Sequence, residues 1–380
     1  MRLALVSRRY PPLIGGAEKM LSYLAAGLAA EGCEVTVLTA RSARLPAIEA
    51  GATPRGRLTI ERLTTSPLRF AGTMLYMRNL SRRLRRGGFD LVYVSMLKHD
   101  AYAAVGAARA GGFPVVLRPE GAGATGDVAW QGWGRFGAAI ARRCRAADAF
   151  VSISEAITRE LVDHGYDASK IASLPNGVPV PEEPWRGGEP ARDGGSAVFV
   201  GRLAAEKGLD VLVRAWTIVL AERPAARLTL VGEGPQRARL AALIAAEGTG
   251  RSIALPGAAA DATPALRAAD VFVLPSREEG MSIALLEAMA LGMPVVASAI
   301  AGNLKLIVDR EHGRTATPDD PAALAGAILD QLRDVEAARA QGWAARGRVA
   351  REFSIAAVSR RHVALFERLI AAGRDRARRR

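Results

Sequence analysis

Short β-type runs alternate with longer helical runs along almost the whole chain, and this alternation restricts the fold more than any other feature. RLALVS, EVTVLT, LTIERL, LVYVS, PVVLR and AFVSIS have the length and β-branched content of strands, separated by helical segments such as 16–31, 68–86, 98–110 and 134–147. Near-continuous apolar strands between helices predict a parallel sheet covered on both faces. Residues 178–195, VPVPEEPWRGGEPARDGG, then bring four prolines and four glycines without periodicity, the composition of a linker. The alternation restarts with AVFVGR, RLTLVGEG, SIALPG, DVFVLPS and PVVAS, and the tail from about 336 is helical to a basic end, RDRARRR, expected to fray. The expected fold class is α/β: two doubly wound parallel-sheet domains facing each other across a cleft at the carboxyl ends of their strands. Expected boundaries are 1–180 for the N-terminal domain, 181–195 for the linker, 196–350 for the C-terminal domain and 351–380 for a final helix packing back toward the N-terminal domain.

A length of 380 residues with 49% hydrophobic and 24% charged content suits two globular domains with real cores. Cys33 and Cys144 stand far apart with no CxxC or histidine pattern, which suggests neither a disulfide framework nor a zinc site and points to a reducing cytoplasm. MRLALVSRRYPP breaks its apolar run after six residues, too short for a signal peptide core. The apolar stretch 288–301 is split by Gly292 and Pro294, so no transmembrane segment is expected. The net charge of +14 invites a nucleic-acid reading, yet lysine supplies only five of the 52 basic residues, a skew of overall composition rather than of a site. No helix-turn-helix, zinc finger or aromatic-basic interleaving accompanies it, so no nucleic-acid partner is expected. The local excess in MRNLSRRLRRGGF, with Arg78, Arg82, Arg83, Arg85 and Arg86, and in WGRFGAAIARRCR admits two readings. Such helices either lie on an anionic membrane surface or present a solvated face.

The stretch SREEGMSIALLEAMALGMPVVAS holds Glu279 and Glu287 eight positions apart in an otherwise apolar run. Ser276 and Glu279 have capping-box spacing, so Glu279 could simply close a helix. Against that, Gly280 permits close backbone approach to a ligand, and Glu287 among leucine, alanine and methionine would be costly to bury unpaired. On one helix the two carboxylates would be separated by about 12 Å of rise, which suits two ends of one elongated ligand. Met281 and Ser282 complete the same turn. Elsewhere, Gly15 and Gly16 follow the first strand and open a helix, where amides and the dipole attract an anion. Arg202 follows Gly201 at the end of a strand, with Lys207 five residues on; together they suit a diphosphate, while surface pairs with Glu206 or Asp210 are the alternative for each taken singly. Gly232 and Gly234 in VGEGP make another strand-to-helix turn, compatible with a nucleotide lying across it.

In this order, the GG turn, GRxxxxKG, VGEGP and E-x7-E, with SISEAI, LPNGV and EGMSIALLEAMALGMPVVAS, resemble the retaining glycosyltransferases of family four. The resemblance covers nearly the whole chain and implies the GT-B fold of two Rossmann-like domains. It implies that Glu279 contacts a donor sugar, Glu287 holds the nucleotide ribose, Arg202 and Lys207 neutralise the diphosphate, and Gly16 approaches sugar and phosphates. Its further implication is retention of configuration, by front-side attack with the departing phosphate as base. No DxD sequence occurs, so charge stabilisation is expected from Arg202, Lys207 and helix-end amides, with no cofactor and no metal.

Two positions depart from the family pattern. Many relatives carry a histidine in the loop after PVVLRPEG; this chain has Glu120, which either hydrogen-bonds a sugar hydroxyl or helps a sugar acceptor, or only orders the glycine-rich loop 121–126. Lys305 in AGNLKLI stands where relatives often have glutamate, which leaves the donor's identity open. The loop GAGATGDVAWQGWGR reads as mobile and amphipathic, with Asp127, Trp130 and Gln131 as candidate acceptor contacts. The expected function is transfer of a sugar from a UDP- or GDP-sugar to a hydroxyl of a saccharide or lipid-linked saccharide, in bacterial surface polysaccharide or glycolipid assembly. A non-catalytic nucleotide-sugar-binding scaffold and a GT-B enzyme such as a nucleotide-sugar epimerase are the alternatives. The expected location is cytoplasmic, with the inner face of the cytoplasmic membrane open as a peripheral position.

Overall fold

The computed structural model describes residues 1–12, 15–42, 45–187 and 194–378. The chain forms two compact units, Met1–Gly177 together with Ile355–Arg380, and Val178–Ser354.

The first unit holds eight strands: β1 (Arg2–Val6), β2 (Glu34–Ala40), β3 (Ile48–Ala52), β4 (Arg57–Leu63), β5 (Leu91–Ser95), β6 (Val115–Arg118), β7 (Ala149–Ser152) and β8 (Ile171–Ser173). They lie in the order β3-β4-β2-β1-β5-β6-β7-β8, and only the β3–β4 pair is antiparallel. Leu3, Ala4, Leu5 and Val6 of β1 are fully buried, as a central strand covered on both faces requires. Edge strand β3, IEAGA, is exposed throughout, so no apolar run announces it. The order reverses between β1 and β5, and the loops at their carboxyl ends flank that switch point.

The helix Ile355–Arg378 belongs to this unit and packs on the helix Gly16–Ala30. Contact is close at Gly27, where an added Cβ would stand 2.2 Å from Ser359 Oγ and 2.9 Å from Ile355 Cγ1. Val358, His362 and Phe366 enter the core beneath it, and burial pushes the His362 imidazole down to about 4.

The second unit is all parallel: β9 (Ser196–Val200), β10 (Arg227–Val231), β11 (Ile253–Gly257), β12 (Val271–Leu274), β13 (Val295–Ser298) and β14 (Arg314–Ala316), in the order β11-β10-β9-β12-β13-β14. Its switch point lies between β9 and β12. No helix among the described residues is long and apolar enough to cross a membrane.

The stretch read as a linker differs from that reading where it is described; part of it, 188–193, lies outside the described residues. Trp185 is buried in the second unit, its indole donating to Ala269 O at 2.9 Å and its amide to Leu291 O at 2.7 Å. Prolines and glycines there shape a strap around one large aromatic anchor. The expected fraying end at 379–380 also lies outside the described residues. Trp185→Ala is expected to destabilise the second unit by about 3–5 kcal/mol, the usual cost of deleting a buried aromatic; chemical denaturation of the full chain, followed by tryptophan-independent circular dichroism, checks it.

Candidate functional site

In the second unit, glycines bring the segments after β9, β10, β12 and β13 onto one another around the switch point. Gly208 takes a left-handed φ of +61°, and a Cβ there would stand 2.2 Å from Pro275 O. A Cβ at Gly302 would stand 2.2 Å from Glu279 O, and one at Gly232, where φ is +154°, only 1.8 Å from Gly201 O. Backbone therefore meets backbone at points that no side chain permits.

Arg277 clips two of these loops together. Its guanidinium binds both Asp210 oxygens at 2.9 Å, Ala205 O at 2.7 Å and Asp319 at 2.6 Å, and its amide donates to Glu206 O at 2.8 Å. The hydrogen bonds from Arg277 lead in pulling the Asp210 carboxyl below its ordinary range. Arg277 is the second residue of SREEGMSIALLEAMALGMPVVAS, yet its role depends on Asp210, 67 positions away.

The clip places Lys207 Nζ 2.6 Å from Glu279 Oε1, which also accepts from Ser276 Oγ at 2.8 Å. Glu279 is 9% exposed and Lys207 19%, so the pair is largely withdrawn from solvent. Behind it, Ser298 Oγ donates to Ser276 O, and Asn303 Nδ2 to Ser298 O at 2.9 Å.

Two expectations about this stretch are corrected. The helix runs Ile283–Leu291 with Ser282 as its N-cap, whose hydroxyl accepts from the Leu285 amide at 3.4 Å. Glu279 thus lies in the preceding loop and closes no helix, and the 12 Å helical spacing to Glu287 does not apply. Glu287 stands half-buried in the middle of the helix, and Met281 and Ser282 are buried. The bend from Ser276 to Ser282 is imposed by Gly208 and Gly302, which lie outside the local pattern.

Arg202 is 61% exposed and pairs with Glu206 at 2.6 Å, the surface pairing weighed for it from sequence. A pair of this kind is worth about 0–1 kcal/mol, so its guanidinium is cheaply redirected to another anion. Lys207 pairs with neither Glu206 nor Asp210 but with Glu279. The amides of Gly201 and Gly232 are spent on Val231 O at 3.0 Å and Gly257 O at 2.8 Å, and Gly234 fits against Leu203 O, so these glycines first serve to pack loop on loop. Gly280 lies half-exposed beside Glu279, and Lys305 is exposed at the end of the short helix Ala301–Leu304.

In the first unit Gly15 is the N-cap of Gly16–Ala30, and an added Cβ there would run into the Glu18 carboxylate at 2.1 Å. Gly16 is exposed, with open space where a side chain would be. Beyond β6, Glu120 Oε1 accepts from Ser95 Oγ and from Arg118 Nη1 at 2.5 Å, while Arg118 Nη2 donates to Asn176 Oδ1 at 2.6 Å. Arg118 is buried; burial alone would lower its guanidinium, and Glu120, together with Tyr93 and Asp127, more than reverses this. Glu120, 15% exposed, is therefore a fixed carboxylate that accepts hydrogen bonds at the carboxyl end of β6. Sequence reading passed over Arg118, although a charged residue closing a buried apolar strand is a signal of this kind.

Asp127 and Gln131 are held within the first unit. The supposed mobile loop contains a helix, Asp127–Trp133, and both residues are buried. Asp127 accepts from the amides of Glu120 at 2.8 Å and Leu97 at 3.3 Å; Gln131 donates to Leu97 O at 2.9 Å and accepts from Tyr166 OH at 2.8 Å. They fasten the loops after β5 and β6. Trp130 is half-exposed, edge-on to His99 with ring centroids 5.4 Å apart, and Lys98 Nζ lies 5.5 Å from its ring centre. Among the described residues no group of three His, Cys, Asp or Glu stands ready to hold a metal ion.

Burial pushes the Asp127 carboxyl up to about 6, against the downward pull of the Glu120 amide and Lys98. A carboxyl whose native pKa lies above its unfolded value binds more protons when folded, so its contribution to stability falls as pH rises from about 4 to about 6. Asp127→Asn lacks this titration. Its stability relative to the parent chain should rise across that window by at most about 3 kcal/mol, measured as urea midpoints at a series of pH values.

The chain matches two family descriptions in succession: Glycosyltransferase Family 4 over residues 14–181 and Glycosyl transferases group 1 over residues 195–334. It is 27% identical to glycogen synthase of Mycobacterium tuberculosis (strain CDC 1551 / Oshkosh), covering 93% of this chain and 91% of that protein. Among solved structures it resembles sucrose-phosphate synthase of Thermosynechococcus elongatus, with a TM-score of 0.79, 24% identity and coverage of 98% of this chain and 99% of that one. HepE of Anabaena in complex with UDP-glucose is similar with a TM-score of 0.76, at 18% identity over 97% of this chain and 99% of that one.

Proposed function

The chain is a family-four-type glycosyltransferase of GT-B fold, and on that premise we propose that it moves a sugar, with retention of configuration, from a nucleoside diphosphate to a hydroxyl of a saccharide or lipid-linked saccharide. The observation that carries the proposal is the Lys207–Glu279 pair, clipped by Arg277 at the switch point with Arg202 nearby in the same loop. An incoming diphosphate competes with Glu279 for Lys207 and with Glu206 for Arg202. The two cations then carry the charge of the leaving group, and the released Glu279 accepts from a hydroxyl of the donor sugar. Glu287 is proposed to hold the ribose. As the anomeric C–O bond to phosphate breaks, the acceptor oxygen bonds to the same face of that carbon, and its proton passes to the departing phosphate oxygen. Charge stabilisation by cations fixed in advance contributes strongly to rate in a water-poor site.

The first unit is proposed to serve the sugar acceptor, with Glu120 as the carboxylate that receives a sugar hydroxyl in place of the histidine common in relatives. Its fixed orientation through Arg118 and Ser95 supports that role. The setting proposed is surface polysaccharide or glycolipid assembly on the cytoplasmic side of the membrane. The HepE complex makes UDP-glucose the first donor to try, and the 34% identity over 158 residues to a GDP-mannose-dependent mannosyltransferase of Mycolicibacterium smegmatis makes GDP-mannose the second.

Thermal shift with UDP- and GDP-sugars should show one donor raising the melting temperature, because a ligand of the native state stabilises it. Lys207→Ala should abolish that shift and lower kcat/KM by about 10² to 10³, the effect of removing one charge-stabilising donor. Absence of a shift with every donor would overturn the proposal. Donor binding without transfer or hydrolysis in any acceptor mixture would identify a scaffold instead.

A further inference from the structure

The five arginines clustered at 78–86 do not act alike in the fold. Arg83 is taken: its Nε donates to Glu61 at 2.7 Å and its guanidinium lies 4.7 Å from the centre of the Phe89 ring. Arg82 and Arg86 are exposed at the helix end. Arg78 and Arg85, exposed as well, line a cavity of about 310 Å³ with Met74, Met77, Tyr102 and, from the helix Gly137–Cys144, Arg143. Arg143 lies over the Tyr102 ring at 3.6 Å. No carboxylate lines this cavity, and among the described residues Arg78, Arg85 and Arg143 form no ion pair. Three unneutralised guanidiniums around one small space repel one another until an anion enters, and guanidinium geometry suits phosphate oxygens.

The apolar surroundings narrow the source of that phosphate. Phe70, Met74, Arg78, Ser81 and Arg85 follow one another at spacings of three or four, which is a single stripe of the helix Arg69–Arg85. Towards its N-terminal end the surface is apolar: Leu68 is 69% exposed, Phe70 50% and Met74 49%. Arg135 lies 4.3 Å from the Phe70 ring centre and 5.3 Å from that of Phe136, itself exposed, and Trp133 is 73% exposed. A free phosphate would need none of these. A phosphate attached to acyl chains at a membrane interface meets both, cations at its head and aromatic and thioether side chains below it.

We propose that this cavity is the binding site for the phosphate headgroup of an anionic phospholipid, seating the first unit on the membrane surface through Arg78, Arg85 and Arg143. The site rests on the membrane setting proposed above and deepens it.

The test is sedimentation of the full-length protein, without donor, with phosphatidylglycerol-containing vesicles and with pure phosphatidylcholine vesicles at about 0.15 M salt. Two variants remove equal charge, R78Q/R143Q from the cavity and R82Q/R86Q from outside it. The parent chain and R82Q/R86Q should sediment with the anionic vesicles, and R78Q/R143Q should bind at least tenfold more weakly with an unchanged melting temperature. Equal loss in the two variants would overturn the site in favour of diffuse attraction, which acts on any basic residue near the surface. Failure of the parent chain to bind anionic vesicles would overturn it too. So would a melting shift with soluble glycerol phosphate that depends on Arg78 and Arg143 in a protein that ignores vesicles, since the ligand would then be a free ester. The donor-induced thermal shift, read on the same variants, stays intact if only the lipid site fails and is absent in the parent chain if the transferase reading fails.

Discussion

The candidate donor site depends on backbone packed directly against backbone. Parallel strands return every connection to the same edge of the sheet, so at a switch point loops from different strands crowd together. In the second unit the crowding is resolved at Gly208, Gly232 and Gly302, where any Cβ would stand within 2.2 Å of a carbonyl oxygen. Because the loops touch there, Arg277 can reach Asp210, Asp319 and Ala205 O at once, and Lys207 can meet Glu279 across 72 positions of sequence. Remove the close approach and the charges remain in the chain but no longer share one place.

The same economy governs the first unit with different chemistry. There, buried polar side chains fasten the loops: Asp127 and Gln131 hold the segments after β5 and β6, and Arg118 holds Glu120. A buried charge is tolerable only with partners, and each of these has them. The result is a carboxylate held in place at the carboxyl end of β6, just before the stretch whose pattern suggested a mobile loop. Arginine serves three ends in this chain: a buried clamp at Arg118, a clip at Arg277 and unneutralised surface charge at Arg78, Arg85 and Arg143. Partners and burial, not residue type, separate them.

Much of this was legible in advance. Strand and helix alternation announced two parallel sheets, because central strands such as β1 and β9 must be apolar on both faces. The exposed edge strand β3 escaped notice because nothing in IEAGA needs burying. Arg202, Lys207 and Glu279 were visible through spacing and resemblance, while Arg277 was not, since its meaning lies in a partner 67 positions away; Arg118 has one partner two positions on, Glu120, and another, Asn176, 58 away. The proline- and glycine-rich stretch looked like a linker because composition registers turns but not the burial of one tryptophan.

The sequence by itself determined the class of fold, the order of the two sheets along the chain and the residue types available for holding a diphosphate, since periodicity and composition are local properties. Only the tertiary structure decided which charges pair, where the helix after Glu279 begins, that Asp127 and Gln131 face inward, and that Arg143 joins Arg78 and Arg85 around one cavity. Those outcomes depend on contacts between segments far apart in the chain, and burial and proximity, which set the cost and the use of a charge, exist only once such segments have met.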